Sequence, residues 1–255
     1  MSGDTNANWD IFVRDQQTGT TTRISVTAAG QQVKGGSSHP SISADGRFVA
    51  FSSTAAGLVS LDTNGAADAF VHDRQTGRPS RVSVSTLGRQ ANSYSGTPAI
   101  SADGRFAVFQ SNASNLVVGD SNGVSDIFVR DLQAQETSRV SLANLGQQAN
   151  SSSAFPSISG DGRFVAFLSS ASNLVSGDTN ARVDVFVRDR ITGQTTRVSV
   201  ASNGSQADQF SWAPAISANG LIVASRRSPP IWFLAIPMRT GMCSFTIAPA
   251  RKRRG

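Results

Sequence analysis

The residues best placed to do chemistry are aspartates and asparagines that return in a fixed order. Asp62, Asn64 and Asp68 stand at positions one, three and seven of a polar segment. The same triplet recurs as Asp120, Asn122 and Asp126, and again as Asp178, Asn180 and Asp184. A calcium ion takes about six to eight oxygen ligands, and D-x-N supplies two side-chain oxygens in close succession. An EF-hand loop would add an acid at position five and glycine at six. Here Ala66, Val124 or Arg182 occupies position five, and the glycine is missing. Position twelve does carry an acid (Asp73, Asp131 or Asp189), but a predicted strand lies between and carries it away. The competing role is turn formation, in which Asp and Asn accept hydrogen bonds from their own backbone. On residue types alone both roles stay open, so these nine residues are calcium candidates; no other cofactor is expected.

Other reactive constellations are missing from the sequence. It has two histidines, His39 and His72, each in a slot that other residues fill in the remaining copies, and one cysteine, Cys243. There is no G-x-S-x-G elbow, H-E-x-x-H pair or cysteine cluster, so neither a serine-hydrolase nucleophile nor a zinc site is encoded. Near-identical units also disfavour catalysis, which needs different groups from different copies. Unlike residues meeting at a central channel are the remaining route to an active site. The expectation is a chain without enzymatic activity.

A repeat positions all these residues. Pro40, Pro98, Pro156 and Pro214 are each 58 apart, as are Asp4, Asp62, Asp120 and Asp178, and Phe12, Phe70, Phe128 and Phe186. Each unit holds four strand signals. PSIS leads into an Asp-Gly turn (Asp45-Gly46, Asp103-Gly104, Asp161-Gly162) and then RFVAF, the strongest short-range hairpin pattern. D-x-F-V-R-D follows, with Phe and Val at alternate positions, and Gly77 or Gly193 closes a tight turn before T-x-R-V-S-V. No window shows the 3.6-residue period of a helix. Four antiparallel strands per unit, repeated in register, describe a β-propeller blade. The expected fold is therefore all-β: a partial propeller of about three complete blades with half-blades at each end. Within it, Arg14, Arg130 and Arg188 should point outward, with Asp15, Asp131 and Asp189 starting the next turn. Arg47, Arg105 and Arg163 should also face solvent.

The pattern P-x-I-S-x-D-G-R-x-V-A-F followed by D-x-F-V-R-D resembles the WD40-like propeller repeat of TolB-type proteins, over about residues 4–224. Ala or Gly stands before the Asp-Gly turn where proline is common, and the A-x-N-L-V-x-G-D-T-N connection is long. The resemblance implies a binding scaffold in the periplasm, at the cell surface or secreted. Its partner would be a protein, peptide or glycan, and the chain would be part of a longer exported bacterial protein. A propeller beside the catalytic domain of a larger hydrolase or peptidase is the alternative, and an inactive truncated product a third.

Units divide the chain into a half-unit at 1–37, blades at about 38–95, 96–153 and 154–211, and the start of another at 212–224. The N-terminal half-unit is expected to pair with the PAIS strand, without a second hairpin strand beyond Ala224. From Ser225 the repeat is lost. The net charge of +6 belongs to this tail, which carries seven cations from Arg226 to Arg254 and no acid, whereas residues 1–220 carry 16 basic and 17 acidic residues. Read one base out of frame, the codons of Ile231 to Met238 can encode N-L-V-P-G-D-T-N, and those of Met242 to Ala248 D-V-F-V-H-D-R. Both fall 58 residues after their counterparts, so 225–255 is expected to be a frameshifted, non-native tail. On that reading RKRRG at 251–255 is no nucleic-acid patch, and Trp232 and Phe233 are no membrane anchor. No run approaches the roughly 18 apolar residues of a membrane span.

Overall fold

A computed structural model describes residues 4–227. The basic patch, Cys243, Trp232 and the rest of the tail from 228 lie outside the described residues. Sixteen strands form three four-stranded and two two-stranded antiparallel sheets. The first pair is β1 (Phe12–Arg14) with β2 (Thr21–Arg23). Blade one is β3 (Ser37–Ile42), β4 (Phe48–Ser53), β5 (Asp68–Asp73) and β6 (Arg78–Arg81). Blade two is β7 (Ser95–Ile100), β8 (Phe106–Ser111), β9 (Asp126–Asp131) and β10 (Glu136–Arg139). Blade three is β11 (Ser153–Ile158), β12 (Phe164–Ser169), β13 (Asp184–Asp189) and β14 (Gln194–Arg197). The last pair is β15 (Ser211–Ile216) with β16 (Val223–Arg227).

The two half-blades remain separate sheets, and β15 pairs with β16 instead of β1. A second hairpin strand therefore does exist past Ala224, as far as Arg227. Its hydrogen-bond register follows that of the full blades, because backbone pairing does not depend on the side chains it carries.

The blades bury both faces of their middle strands. In β4, β8 and β12 nearly every side chain is shielded, since a neighbouring unit covers each side. Facing layers differ in size. Ala50, Ala69, Val71 and Val82 of blade one meet Phe109, Leu116 and Phe128 of blade two, and Val108, Ile127 and Val129 meet Phe167, Leu174 and Phe186 of blade three. Each large pair is itself stacked, with ring centroids 5.8 Å apart for Phe51–Phe70, 5.9 Å for Phe109–Phe128 and 6.0 Å for Phe167–Phe186. Small against large fills the gap at close packing.

The Asp-Gly turns lock successive units together. Ala44 N–H donates to the Ala102 carbonyl, Ala102 N–H to Gly160, and Gly160 N–H to Ala218, all at 2.8–3.0 Å. Each turn glycine adopts positive φ, and from the second unit on it also touches an aromatic ring. A Cβ on Gly162 would lie 2.1 Å from Phe106, whereas one on Gly46 meets Arg74 no closer than 3.5 Å. Both Gly46→Ala and Gly162→Ala incur the left-handed penalty of about 1–2 kcal/mol. Gly162→Ala should cost clearly more, because Phe106 must also move. Urea midpoints of the two variants compare them directly, and equal losses would show that the ring yields freely.

Candidate functional site

Each blade gathers its aspartate–asparagine loop into one buried cluster, closed by an arginine from the fourth strand. In blade two Arg139 Nη1 lies 3.3 Å from Asp120 Oδ1 and 3.1 Å from Asp126 Oδ2. Gln148 Oε1 also accepts from it at 2.6 Å. Asn122 Nδ2 donates to Asp126 Oδ2, and the Ser141 hydroxyl to Asp126 Oδ1. Arg81 takes the same place beside Asp62 (3.3 Å) and Asp68 (3.4 Å), and Arg197 beside Asp178 (2.9 Å) and Asp184 (3.9 Å). Asp68, Asp126 and Asp184 are fully buried.

This arrangement does not fit calcium. The carboxylate oxygens meet N–H and O–H donors, the reverse of the oxygen-rich shell a hard cation needs. Arg81, Arg139 and Arg197 stand where the ion's charge would have been. Among the described residues no group of three or more His, Cys, Asp or Glu side chains is placed to hold a metal ion. The asparagines also close their own turns: Asn64, Asn122 and Asn180 accept from the backbone N–H two residues on. Asp73, Asp131 and Asp189 end the third strands and pair with Arg47, Arg105 and Arg163 across the sheet at 2.7–2.9 Å.

The fourth-strand arginines and the glutamines that complete the cluster were not singled out from sequence. Their signal was available, since Arg81, Arg139 and Arg197 recur every 58 residues, as do Gln90, Gln148 and Gln206. Arg130 and Arg188 correct the outward reading. Arg130 is only 4% exposed, and both reach across a seam to carbonyls of the preceding unit. Alternation sends a residue to one face or the other; in a propeller both faces are interior. Arg47, Arg105 and Arg163 are half-exposed, each lying over the ring of the next residue.

The carboxylates divide into two classes by titration. Burial pushes Asp62, Asp120 and Asp178 above the usual range, partly offset by hydrogen bonds or by their arginines. Hydrogen bonds from Arg47 and Arg163 hold Asp73 and Asp189 far below it. A raised folded pKa makes the folded state take up protons first, so stability rises slightly as pH falls towards the carboxylate range. A lowered pKa acts oppositely: its contribution is full above the unfolded value and is lost as pH falls through the folded one. Stability should therefore hold or rise down to about pH 4 and fall steeply below it. Urea titrations across pH 2–7 check the sign, and a steady decline beginning at pH 6 would contradict it.

A second arrangement was not visible in the sequence. The residue before each repeat proline, namely His39, Thr97, Phe155 and Ala213, has φ between 47° and 54°. A bulge in the first strand accompanies it every time. Left-handed backbone in a residue other than glycine costs about 1–3 kcal/mol and gathers where function needs a fixed geometry. The preceding unit supports it: Ser52 Oγ accepts from Thr97 N–H at 3.2 Å, and Gln110 Oε1 from Phe155 N–H at 3.4 Å. First strands β3, β7, β11 and β15 pack beside one another. They therefore carry these four unlike side chains along one inner rim. His39 and Ala213 are exposed and Phe155 is 45% exposed.

Strain of the same kind elsewhere offers a stabilising substitution. Leu61 (φ 60°), 83% exposed, occupies a slot that glycine holds at Gly119 and Gly177. Leu61→Gly should raise stability by about 0.5–1 kcal/mol, the left-handed penalty less glycine's extra chain entropy. Its urea midpoint should exceed that of the parent; an unchanged or lower midpoint would show the loop relaxes around leucine.

No family model matches the sequence, and no curated protein matches it. Solved structures do. TolB from Acinetobacter baumannii superposes with a TM-score of 0.53 at 16% identity, over 88% of this chain and 44% of that one. Oligogalacturonate lyase from Vibrio parahaemolyticus gives 0.49 at 12% identity, over 88% and 54%. The β-propeller domain of the Trilobed protease from Pyrococcus furiosus gives 0.38 at 16%, over 64% and 41%. The chain thus spans about half the length of these proteins or less. Such identities speak to architecture alone: the fold is a TolB-like β-propeller, represented here by three full blades and two half-blades.

Proposed function

We propose that the chain is a non-catalytic scaffold that binds a protein, peptide or glycan along the inner rim of its first strands. The observation that carries this is the contrast between slots. Aspartates, arginines and glutamines recur identically and are spent on one another inside the blades. The inner-rim slot is instead filled by His39, Thr97, Phe155 and Ala213, on a backbone held in a strained shape. Variable side chains on a repeated, rigid mount suit recognition of one partner. The TolB-like fold supports a protein partner and a periplasmic, cell-surface or secreted setting by analogy.

Affinity capture with the full chain tests this reading, run beside Phe155→Ser and His39→Ser. A partner held at micromolar concentration by the parent and lost by both variants supports it. No partner, or one retained by both variants, counts against it.

We further infer that the native repeat continues in another reading frame past codon 224. In β16 Ser225 stands where Phe51, Phe109 and Phe167 fill the core, and Arg227 stands where Ser53, Ser111 and Ser169 are buried. The strand keeps the repeat's pairing while its chemistry has left it. Sequencing the encoding DNA across codon 225 decides this: a missing base that restores N-L-V-P-G-D-T-N supports it, and an intact frame with no such match refutes it.

A further inference from the structure

One slot of the third strand is filled differently in successive seams. Arg130 in β9 donates from Nη1 to the Ser85 carbonyl (3.2 Å) and Thr137 Oγ1 (3.1 Å), and from Nη2 to Gln135 Oε1 (2.7 Å). Arg188 in β13 donates to the Leu142 and Ala143 carbonyls (3.3 and 3.2 Å) and to Thr195 Oγ1 (3.0 Å). The hydroxyls of Thr137 and Thr195 in turn donate to the carbonyls of Val84 and Leu142. A guanidinium thus bridges each of these two seams.

In the seam between the first half-blade and blade one, the two groups that those seams share both change. His72 replaces the arginine and Pro79 the threonine. Imidazole is too short to cross, and proline offers neither hydroxyl nor N–H. The carbonyl of Val26, 58 residues before that of Val84, loses the threonine hydroxyl its counterpart has, and that of Thr27 keeps its bond from Gly30 N–H (2.9 Å) but has no arginine beside it. A cavity of about 630 Å³ occupies this place, with Phe12, Thr21, Ile24, Val26, His72 and Gly77 in its wall. His72 is 4% exposed, and its Nδ1 has no hydrogen-bond partner. Two arginines also border the cavity, and both have partners: Arg23 is beside Asp4 and Asp10, and Arg74 donates to the Gly46 carbonyl.

We propose that this seam is a binding site for a guanidinium group, supplied by an arginyl peptide or a small alkylguanidinium, which enters where Arg130 and Arg188 stand in the other seams. The guest's planar fork donates to the Val26 carbonyl in the cavity wall, beside the Phe12 ring, over which Arg23 already lies 5.4 Å from the centroid. His72 Nδ1 accepts from it in the Nε2–H tautomer. Burial pushes the His72 pKa below its usual value, which keeps the imidazole neutral beside a cation.

Calorimetric titration of the full 255-residue chain with methylguanidinium chloride tests the site, with methylurea as the uncharged planar control. Saturable binding of methylguanidinium with none of methylurea is expected. His72→Arg fills the seam from within and should weaken binding at least about tenfold, the effect of losing one charge-assisted hydrogen bond. Binding that does not saturate, that methylurea reproduces, or that His72→Arg leaves unchanged would overturn the proposal. Amide shifts of the parent chain give a second reading that needs no variant. Changes centred on residues 21–30 and 72–79 support the site, and changes elsewhere refute it. A Gly-Arg-Gly peptide separates the sources: tighter binding than methylguanidinium assigns the guest to a peptide, and weaker binding to a small compound.

Discussion

Arg139→Met should lower stability by about 3–5 kcal/mol, the cost of removing one partner from a buried ion pair. The side chain is only 5% exposed and stands between two carboxylates that are 5% and 1% exposed. Methionine fills the volume but leaves Asp120 and Asp126 facing each other without a cation. The remedy available to the variant is protonation. Burial already raises the Asp120 pKa against the pull of Arg139, and without the arginine it must rise further. The folded variant then binds a proton that the unfolded chain does not, so its deficit should shrink as pH falls from 7 towards 5. Asp120→Asn added to Arg139→Met should recover part of the loss at pH 7, through coupling that a double-mutant cycle measures. Urea unfolding at both pH values is the measurement. A loss below about 1 kcal/mol, typical of exposed ion pairs, would mean that water reaches the cluster.

The second large effect belongs to the aromatic layer. Phe109→Ala should cost about 3–5 kcal/mol, the range for emptying a buried phenylalanine site. Phe109 stacks on Phe128 and fills the gap left by Ala50, Ala69 and Ala107, none of which can expand into the hole. Phe12→Ala provides the contrast, because Phe12 is 37% exposed and lies in a half-blade. Its loss should be well under half as large. Thermal unfolding of the two variants separates them; similar losses would show that the half-blade is packed as tightly as a full one.

Both sites show where sequence reasoning reached and where it stopped. The strands and Asp-Gly turns could be read because each is a local pattern of a few residues. The cluster could not. Its members stand far apart along the chain: Asp126 to Arg139 spans 13 residues and Asp62 to Gln90 spans 28. Only the pairing of third with fourth strand brings the first of these together. Arg130 was misplaced for a related reason, since alternation reveals which residues share a face and not whether water covers that face. Thr97 and Phe155 carry no local signal of left-handed backbone. Before a proline, extended conformations are the usual expectation, and the support from Ser52 and Gln110 comes from another blade.

The bonds linking Ala44, Ala102, Gly160 and Ala218 have a genetic corollary. Every junction joins a turn to its own counterpart one period later, so removing or inserting one whole period composes no junction of a new kind. Unequal crossing-over between copies of such a gene segment would change the number of blades by whole units and leave each surviving contact with the partner it is built for. A crossover out of phase would instead set unlike turns side by side. The 58-residue period is thus also the unit in which this architecture can gain or lose length.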